Sequence, residues 1–240
     1  MKLTFQTVVV LTGAGVSAES GLKTFRGADG WWRSYRAEQL ATPEAFARDP
    51  GLVHQFYNMR RRKLLAPDIK PNRAHLALAE LEQKWSGQVC LITQNVDDLH
   101  ERAGSQKILH LHGELLKYRC AYCGHIDRAE SDINVHDVCS SCSRPGGLRP
   151  HVVWFGEIPF FLDEISVKLS ACDLFLSVGT SGNVYPAAGF VQLANSVGAH
   201  TVELNLEPTE LSTVYKEKLY GRASEVVPAY VQKLLQSGHD

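Results

Sequence analysis

The chain is short of net charge: 25 Lys and Arg stand against 26 Asp and Glu, a formal balance of -1. With no global field to draw a polyanion, nucleic acid and anionic membrane are excluded as partners recruited by bulk charge, and any recognition of charge must be local. Long apolar runs are missing too: no window approaches the ~18–20 continuous apolar residues of a membrane span. The opening MKLTFQTVVVLTGAG has no basic region followed by a long apolar stretch and a cleavage site, so a soluble, cytoplasmic protein is expected. There are no repeats and no low-complexity tracts. The 240 residues suffice for one substantial domain, or one plus a small insert. Cysteine is scarce at six, but four of the six fall in two C-x-x-C pairs. Without a secretion signal, that spacing favours metal over disulfides.

What is present concentrates in residues 7–27, TVVVLTGAGVSAESGLKTFRG. Thr7 to Thr12 is a β-branched apolar run, suited to a strand buried on both faces. It ends in Gly13-Ala14-Gly15 and passes into small residues, Val16 to Gly21, that can begin a helix. A strand, a glycine turn and a helix N-terminus together present backbone N–H groups to a phosphate. The dinucleotide fingerprint G-x-G-x-x-G is met with Ala18 in its last place. Taken alone, the glycines fit a tight turn in any α/β protein. Thr24-Phe25-Arg26-Gly27 sharpens the signal with an aromatic ring and a guanidinium just beyond the phosphate position.

Downstream, Ala28 to Ala41 mixes Trp31, Trp32 and Tyr35 with arginines and has no clean period, which reads as a loop covering a ligand. Thr42-Pro43-Glu44 is a helix start, with Phe46 and Ala47 facing inward and Asp49-Pro50 ending it. Residues 51–65 form a second helix with Tyr57 and Arg60 on one face. Most of Arg60-Arg61-Arg62-Lys63 reads as a solvated basic surface. Asn72 caps a third helix with a core stripe through Ala74, Leu78, Leu81 and Trp85. Gln88 to Thr93 is a buried strand running into Gln94-Asn95-Val96-Asp97-Asp98, and polar side chains at a parallel strand's carboxyl end signal a ligand site. An Asx-rich turn capping the next helix would account for Asp97 or Asp98 alone. His110 and His112 alternate on one face of a short strand, Ile108 to His112. Further buried strands at 173–178 and 200–204 end in Gly179-Thr180-Ser181 and in Asn205-Leu206-Glu207, types suited to ribose and phosphate contacts. A helix at 187–197 lies between them, and an amphipathic helix closes the chain.

Cys120-x-x-Cys123 and Cys139-x-x-Cys142 are separated by fifteen residues, at the edge of the spacing for tetrahedral zinc. Four thiolates close the shell, so the zinc is expected to be structural. The intervening AESDINVHDV is too polar for a core. Cys90 and Cys172 sit in apolar strands and read as core thiols. After the zinc segment, Arg149 to Glu157 alternates enough to offer a strand edge to an extended peptide, and equally to be a simple return strand.

The blocks GAGVSAESGLKTFRG, TQNVDDLHERAG, LHGEL, the paired C-x-x-C, VVWFGE, GTSGNVYPAAG and NLEPT follow the order found in one family. Over essentially its whole length the chain resembles the sirtuins, NAD-dependent protein deacylases. The resemblance implies a Rossmann-like, doubly wound parallel sheet formed by residues 1–33, 68–115 and 149–240. A small domain would come from a helical insertion at 34–67 and a zinc module at 116–148. It implies NAD+ as co-substrate, one structural Zn2+, acylated lysine on protein substrates, and a monomer. Gly13, Ala14, Gly15, Ser17 and Ala18 would hold the pyrophosphate region, with Thr24, Phe25 and Arg26 beside them. Phe25 would shield the reactive ribose carbon. Gln94 and Ser181 would contact ribose, and Asn95, Val96 and Asp97 the nicotinamide carboxamide. Gly179, Thr180, Asn205, Leu206, Glu207 and the backbone near Ala223 would hold the adenosine end. His112 would be the general base, Asn95 would share in catalysis, and the products would be nicotinamide, O-acyl-ADP-ribose and lysine. Val153, Phe155, Gly156 and Glu157 would receive the substrate. His110 is given a structural place and His100 a surface one.

One departure stands out. Many sirtuins read I-P-D-F-R-G in the first block, where this chain has Leu22-Lys23-Thr24-Phe25-Arg26-Gly27. With Ala41-Thr42-Pro43 and Tyr57-x-x-Arg60, that looks like the class III subgroup, of bacterial or archaeal type, that removes succinyl and malonyl groups. Two other uses of the chain stay open: NAD cleavage with ADP-ribosyl transfer or hydrolysis from the same site, and a non-catalytic module that senses NAD or acyl-lysine.

Overall fold

The computed structural model describes residues 5–24, 30 and 36–237. β1 (Thr7–Thr12) is followed by a one-turn helix, α1 (Gly15–Ala18). Helices α2 (Ala37–Leu40), α3 (Pro43–Arg48), α4 (Pro50–Leu64) and α5 (Arg73–Lys84) lead to β2 (Gln88–Thr93). Then come α6 (Leu99–Ala103), β3 (Ile108–His110), β4 (Gly113–Cys120), β5 (Ile126–Arg128) and β6 (Leu148–Val152). The remainder is α7 (Leu162–Ser170), β7 (Leu174–Val178), α8 (Phe190–Ser196), β8 (His200–Asn205), β9 (Glu217–Tyr220) and α9 (Ala223–Ser237).

Six strands form one sheet in the order β3-β2-β1-β7-β8-β9, and every neighbouring pair is parallel. The chain starts at the centre, builds outward through β2 and β3, then returns to lay β7, β8 and β9 on the other side. That reversal defines the doubly wound order, and its switch point lies between β1 and β7. Alternation within β1 sorts its side chains. Val8 and Val10 join Leu78, Leu81, Val227 and Val231 on one face. Val9 and Leu11 join Ile165, Leu169, Phe175 and Val191 on the other. Both faces are covered by helices, which is why this strand reads as an unbroken apolar run. Cys90 and Cys172 are buried among the second set, as expected.

A second, antiparallel sheet has the order β5-β4-β6. Its floor is shared with α4. Asp49 caps that helix, its Oδ1 accepting from Leu52 N at 2.9 Å, and Pro50 occupies the first turn. Arg61 does not belong to a solvated basic surface: it is buried, donating from Nε to Leu115 O at 3.1 Å and from Nη1 to Asn58 Oδ1 at 2.7 Å. Asn58 in turn exchanges two bonds with the backbone of Ile133, at 2.9 and 3.0 Å. The segment between the cysteine pairs is therefore not wholly solvent-facing, since Ala129 and Ile133 pack with Cys120, Cys139 and Leu148. In α3 Ala45 is buried and Phe46 packs against the core as expected, while Ala47 is exposed. β9 escaped sequence reading because alternate exposure over only four residues leaves no clear period.

Candidate functional site

The carboxyl ends of β1, β2, β7 and β8 open into a cleft of about 1080 Å³, closed on its other side by α4 and the segment 152–159. A side pocket of about 350 Å³ adjoins it, reaching Ser17, Asn95, Asp97 and Arg60. At the switch point the two halves of the sheet nearly touch. Gly13 N donates to Val178 O at 2.9 Å and Gly15 N to Gly179 O at 2.8 Å. A Cβ on Gly13 would lie 2.8 Å from Gly179 O, and one on Gly15 would lie 2.7 Å from the same atom. Gly179 has φ +59, a region open chiefly to glycine. The amides of Gly13 and Gly15 are thus committed to backbone carbonyls rather than offered to a phosphate. What these glycines supply is a side-chain-free crossing that leaves the cleft floor open.

Beneath that floor runs a directional hydrogen-bond chain. His75 Nδ1 accepts from Asn72 N at 3.3 Å, which leaves the proton of the neutral ring on Nε2. Nε2 lies 3.3 Å from Ser17 Oγ, which donates onward to Asp97 Oδ2 at 3.1 Å. Asn95 Nδ2 also donates to Ser17 Oγ at 3.2 Å, and to Gly13 O at 3.1 Å. Burial pushes His75 down to about 4, so it stays neutral. Asp97 is pushed up to about 6 by burial, against the opposing bonds from Leu99 N and Ser17. His100, expected at the surface, is 1 % exposed and lies against Thr12 Oγ1 at 3.0 Å. The short α6 turns this residue inward, where its ring lies 4.8 Å from that of His75 at a tilt of 59°.

His112 stands at the cleft wall, its Nδ1 3.0 Å from Gln94 O. A carbonyl only accepts, so Nδ1 carries the proton and Nε2 keeps its lone pair. Burial lowers its pKa, partly opposed by the bond to Gln94, and favours the neutral ring. His110, two residues earlier, pairs instead with Glu101 on α6. Gln94 Nε2 donates to Thr180 Oγ1 at 3.0 Å and Asn205 Nδ2 to Thr180 O at 2.9 Å, tying the ends of β2, β7 and β8 together.

On the α4 side, the Arg60 guanidinium lies 5.6 Å from the Tyr57 ring centre and 5.5 Å from that of Phe56. β6 lies at the edge of its sheet, but beyond it Val153 N donates to His112 O and Phe155 N to Ala41 O, both at 2.9 Å. Glu157 is held within the protein. It accepts from Arg149 at 2.7 and 2.9 Å, from Arg119 at 2.8 Å and from Trp154 N at 2.8 Å.

The cleft brings together Gly13, Ala14, Gly15, Ala18, Thr24, Gln94, Asn95, Val96, His112, Gly179, Thr180, Ser181, Asn205, Leu206 and Glu207. Ala41, Tyr57, Arg60, Val153, Phe155, Gly156 and Glu157 line it too, whereas Ser17 and Asp97 face the side pocket. Ala223 borders neither space; it begins α9, and Ser224 beside it bonds Glu19. Phe25, Arg26 and the cover loop's Trp31, Trp32 and Tyr35 lie outside the described residues. Sequence reading missed Met59 and Lys63 in the side pocket, and Tyr185, Thr209 and Glu210 in the cleft. Lys63 follows from helical spacing, three residues after Arg60, and Met59 lies four before Lys63 on the same face. The others carry no local signal beyond adjoining a strand end.

Some distance away, the four cysteine sulfurs lie within 4.8 Å of one another. Cys120 and Cys142 are 3.8 Å apart and Cys123 and Cys139 3.7 Å. Zinc–sulfur bonds of about 2.3 Å at tetrahedral angles require sulfur separations of about 3.8 Å. The set fits one four-thiolate zinc, and the separations are far beyond a disulfide bond of about 2.05 Å.

The profile of the Sir2 family matches residues 13–186. A protein of Salmonella typhimurium named NAD-dependent protein deacylase is 58% identical, covering 95% of this chain and 84% of its own. Another with that name, from Vibrio vulnificus, is 54% identical over 98% of this chain and 96% of its own. Among solved structures, a Sir2 homologue in complex with ADP-ribose superposes with a TM-score of 0.91 at 42% identity, covering 98% of this chain and 94% of that one. A Sir2 homologue in complex with NAD gives 0.88 at 43%, covering 97% and 91%. The matched segment starts at the glycine crossing and takes in His112 and the four cysteines: the chain belongs to the Sir2 family.

Proposed function

We propose that the cleft removes acyl groups from protein lysine with NAD as co-substrate, and that Tyr57 and Arg60 extend its range from acetyl to succinyl and malonyl groups. The observation that carries the chemistry is His112, half-buried in the cleft with Nδ1–H committed to Gln94 and Nε2 left as a base. When bound, NAD supplies a nicotinamide leaving group and a ribose that takes the acyl group.

The cradle fits that cofactor. The glycine crossing keeps side chains off the floor between β1 and β7, where such sheets bind dinucleotides. Asn95 and Asp97 offer an amide and a carboxylate to a carboxamide, held in place by Ser17. Gln94 and Ser181 face the ribose position. Asn205, Leu206 and Glu207 take the adenosine end. His112 Nε2 accepts a proton from a ribose hydroxyl, a task suited to a group that stays neutral at pH 7. Ala41 leaves room for a longer acyl chain. The Arg60 guanidinium can meet its carboxylate with two parallel N–H···O bonds, and the Tyr57 hydroxyl adds a third. Val153, Phe155 and Gly156 border the substrate's approach. The helical insertion and the zinc module form the small domain, with a structural zinc on Cys120, Cys123, Cys139 and Cys142.

A monomeric, cytoplasmic enzyme acting on acyl-lysine proteins, with no nucleic acid or membrane partner, completes the reading. A relative of 31% identity was solved with a deacetylated p53 peptide, which supports the substrate class. Among the described residues no helix is long and apolar enough to cross a membrane.

The test is one peptide carrying acetyl-, succinyl- or malonyl-lysine, incubated with NAD. Nicotinamide release that depends on the acyl-peptide and matches lysine formation is the expected result. Equal release without peptide would favour NAD hydrolysis or ADP-ribosyl transfer.

A further inference from the structure

Residues 206–211, between β8 and the turn Ser212–Val214, have no regular structure, yet Leu206, Glu207, Thr209 and Glu210 line one end of the cleft. Leu206 is 68% exposed, and only Leu211 packs against the core, so apolar burial holds this loop at its far end alone. What lies beneath it is a carboxylate. Glu203, on β8, is 2% exposed and accepts hydroxyl protons from separate points of the chain. Thr209 Oγ1 donates to its Oε1 at 2.6 Å, and Ser212 Oγ and Tyr220 OH donate to its Oε2, the latter at 3.0 Å. Ser212 Oγ also receives Thr209 N at 2.7 Å, which closes the loop onto the same anchor.

A buried carboxylate is a poor device for stability alone, because desolvation offsets most of what its bonds return. Its strength is direction: each donor must point at a fixed oxygen, and bonds to a charged acceptor are worth about twice neutral ones. The three donors come from the loop's far side, from the turn after it, and from β9. Glu203 itself borders neither the cleft nor the side pocket. Any effect on a ligand must pass through the loop.

We infer that Glu203 is a positioning residue that sets the shape of the loop 206–211, and thereby the affinity for the adenosine half of NAD. The inference rests on the cofactor reading above and goes beyond it by naming a residue outside the site. It separates the two ends of the cleft. The anchor serves the adenosine end, while His112 and Asn95, with Asp97 in the adjoining side pocket, stand away from it and keep their own hydrogen bonds.

The test compares Glu203→Leu, Glu203→Gln and Ser212→Ala with wild type in the zinc-loaded protein. KM for NAD, kcat, KM for the acyl-peptide and the Kd of ADP-ribose are measured. Glu203→Leu should raise KM for NAD and Kd of ADP-ribose about tenfold, one hydrogen bond's worth of about 1.4 kcal/mol. Its kcat and KM for the peptide should stay within about twofold, on the same footing. Glu203→Gln keeps an acceptor oxygen and should fall between. Ser212→Ala should reproduce part of the effect, and it decides the matter should Glu203→Leu fail to fold. Unchanged ADP-ribose affinity in the folded variants, or a loss of kcat with KM for NAD unmoved, would overturn the inference alone. A wild-type protein that binds neither NAD nor ADP-ribose would overturn the cofactor reading and this inference with it.

Discussion

The indole Nε1–H of Trp154 donates to the hydroxyl oxygen of Tyr57 at 2.9 Å, joining the segment after β6 to helix α4 across the wall of the cleft. Both rings are buried, at 2% and 4% exposure. Trp154 is itself fixed, with the Arg149 guanidinium 3.4 Å over its ring and its backbone amide on Glu157. The tyrosine oxygen accepts on the protein side, so what it can give a ligand is its own O–H.

Acyl selectivity follows from that arrangement. Truncating one partner of a desolvated charge pair costs ~2–5 kcal/mol, against under ~1 for an exposed pair. Arg60→Met should therefore cut kcat/KM for a succinyl peptide at least severalfold and up to a thousandfold or so, on the same scale, while sparing or improving the acetyl form. Tyr57→Phe should do so more mildly, because it removes one neutral O–H donor rather than a charge, and the bond that Trp154 loses with it should weigh on both peptides alike. Equal losses on both peptides would mean that α4 is only a structural wall.

His112→Ala should lower deacylation by ~10²–10⁴-fold and leave NAD binding and folding in place. The wild-type pH profile carries a second check. A base works when unprotonated, and burial lowers the His112 pKa from its ordinary value of 6.5. Activity should hold level through neutrality and fall only as the medium becomes more acidic than that value. A half-maximal point above pH 6.5, traced to this ring by its loss in the variant, would contradict the assignment.

Asp97 and His75 should answer acid in opposite senses although Ser17 links them. His75 has a folded pKa of about 4, below its ordinary 6.5. The unfolded chain binds that proton first, so this group costs stability as pH falls from 6.5 toward 4. Asp97 sits at about 6, above its ordinary 3.8. There the folded state binds first, so the ionised carboxyl costs stability above pH 6 and the cost is relieved as pH falls toward 3.8. Each displacement amounts to roughly 3 kcal/mol at about 1.36 kcal/mol per pH unit. Relative to wild type, Asp97→Asn should gain in melting temperature from pH 5 to pH 8, and His75→Gln should gain from pH 6.5 to pH 4. Parallel curves for all three proteins would refute this pairing.

Metal analysis of the purified protein should find one zinc per chain. Cys120→Ser or Cys142→Ser should lower solubility and melting temperature before it touches chemistry, because closing a four-thiolate shell is part of the folding free energy. Stable, active protein without zinc would refute the closed shell.

The parallel sheet was legible because Val8 to Leu11 are buried on both faces and cannot hide among polar residues. The cleft was legible because polar residues at Gln94, Thr180 and Asn205 follow such runs directly. His100 and Arg61 were misread for a common reason. Each looks solvated by residue type, and each is buried with a partner distant in sequence, Thr12 for His100 and Leu115 O for Arg61, the nearby Asn58 being itself turned inward by the backbone of Ile133. No local pattern announces a partner of that kind. Glu203 was silent likewise: inside β8 it interrupts an apolar run, and only the returning Thr209, Ser212 and Tyr220 explain it.

The central place of β1 has a consequence for how the chain is made. β1 pairs with β2 on one side and, on the other, with a strand that starts only at Leu174, long after it in the chain. Until then half of its backbone edge has no partner, and the glycine crossing has nothing to cross. The nascent chain must carry an exposed apolar edge through most of its synthesis, a condition that favours aggregation and slow, nonlocal closure. Competence to bind a dinucleotide would then arrive late and abruptly, when β7 docks against a strand made long before it.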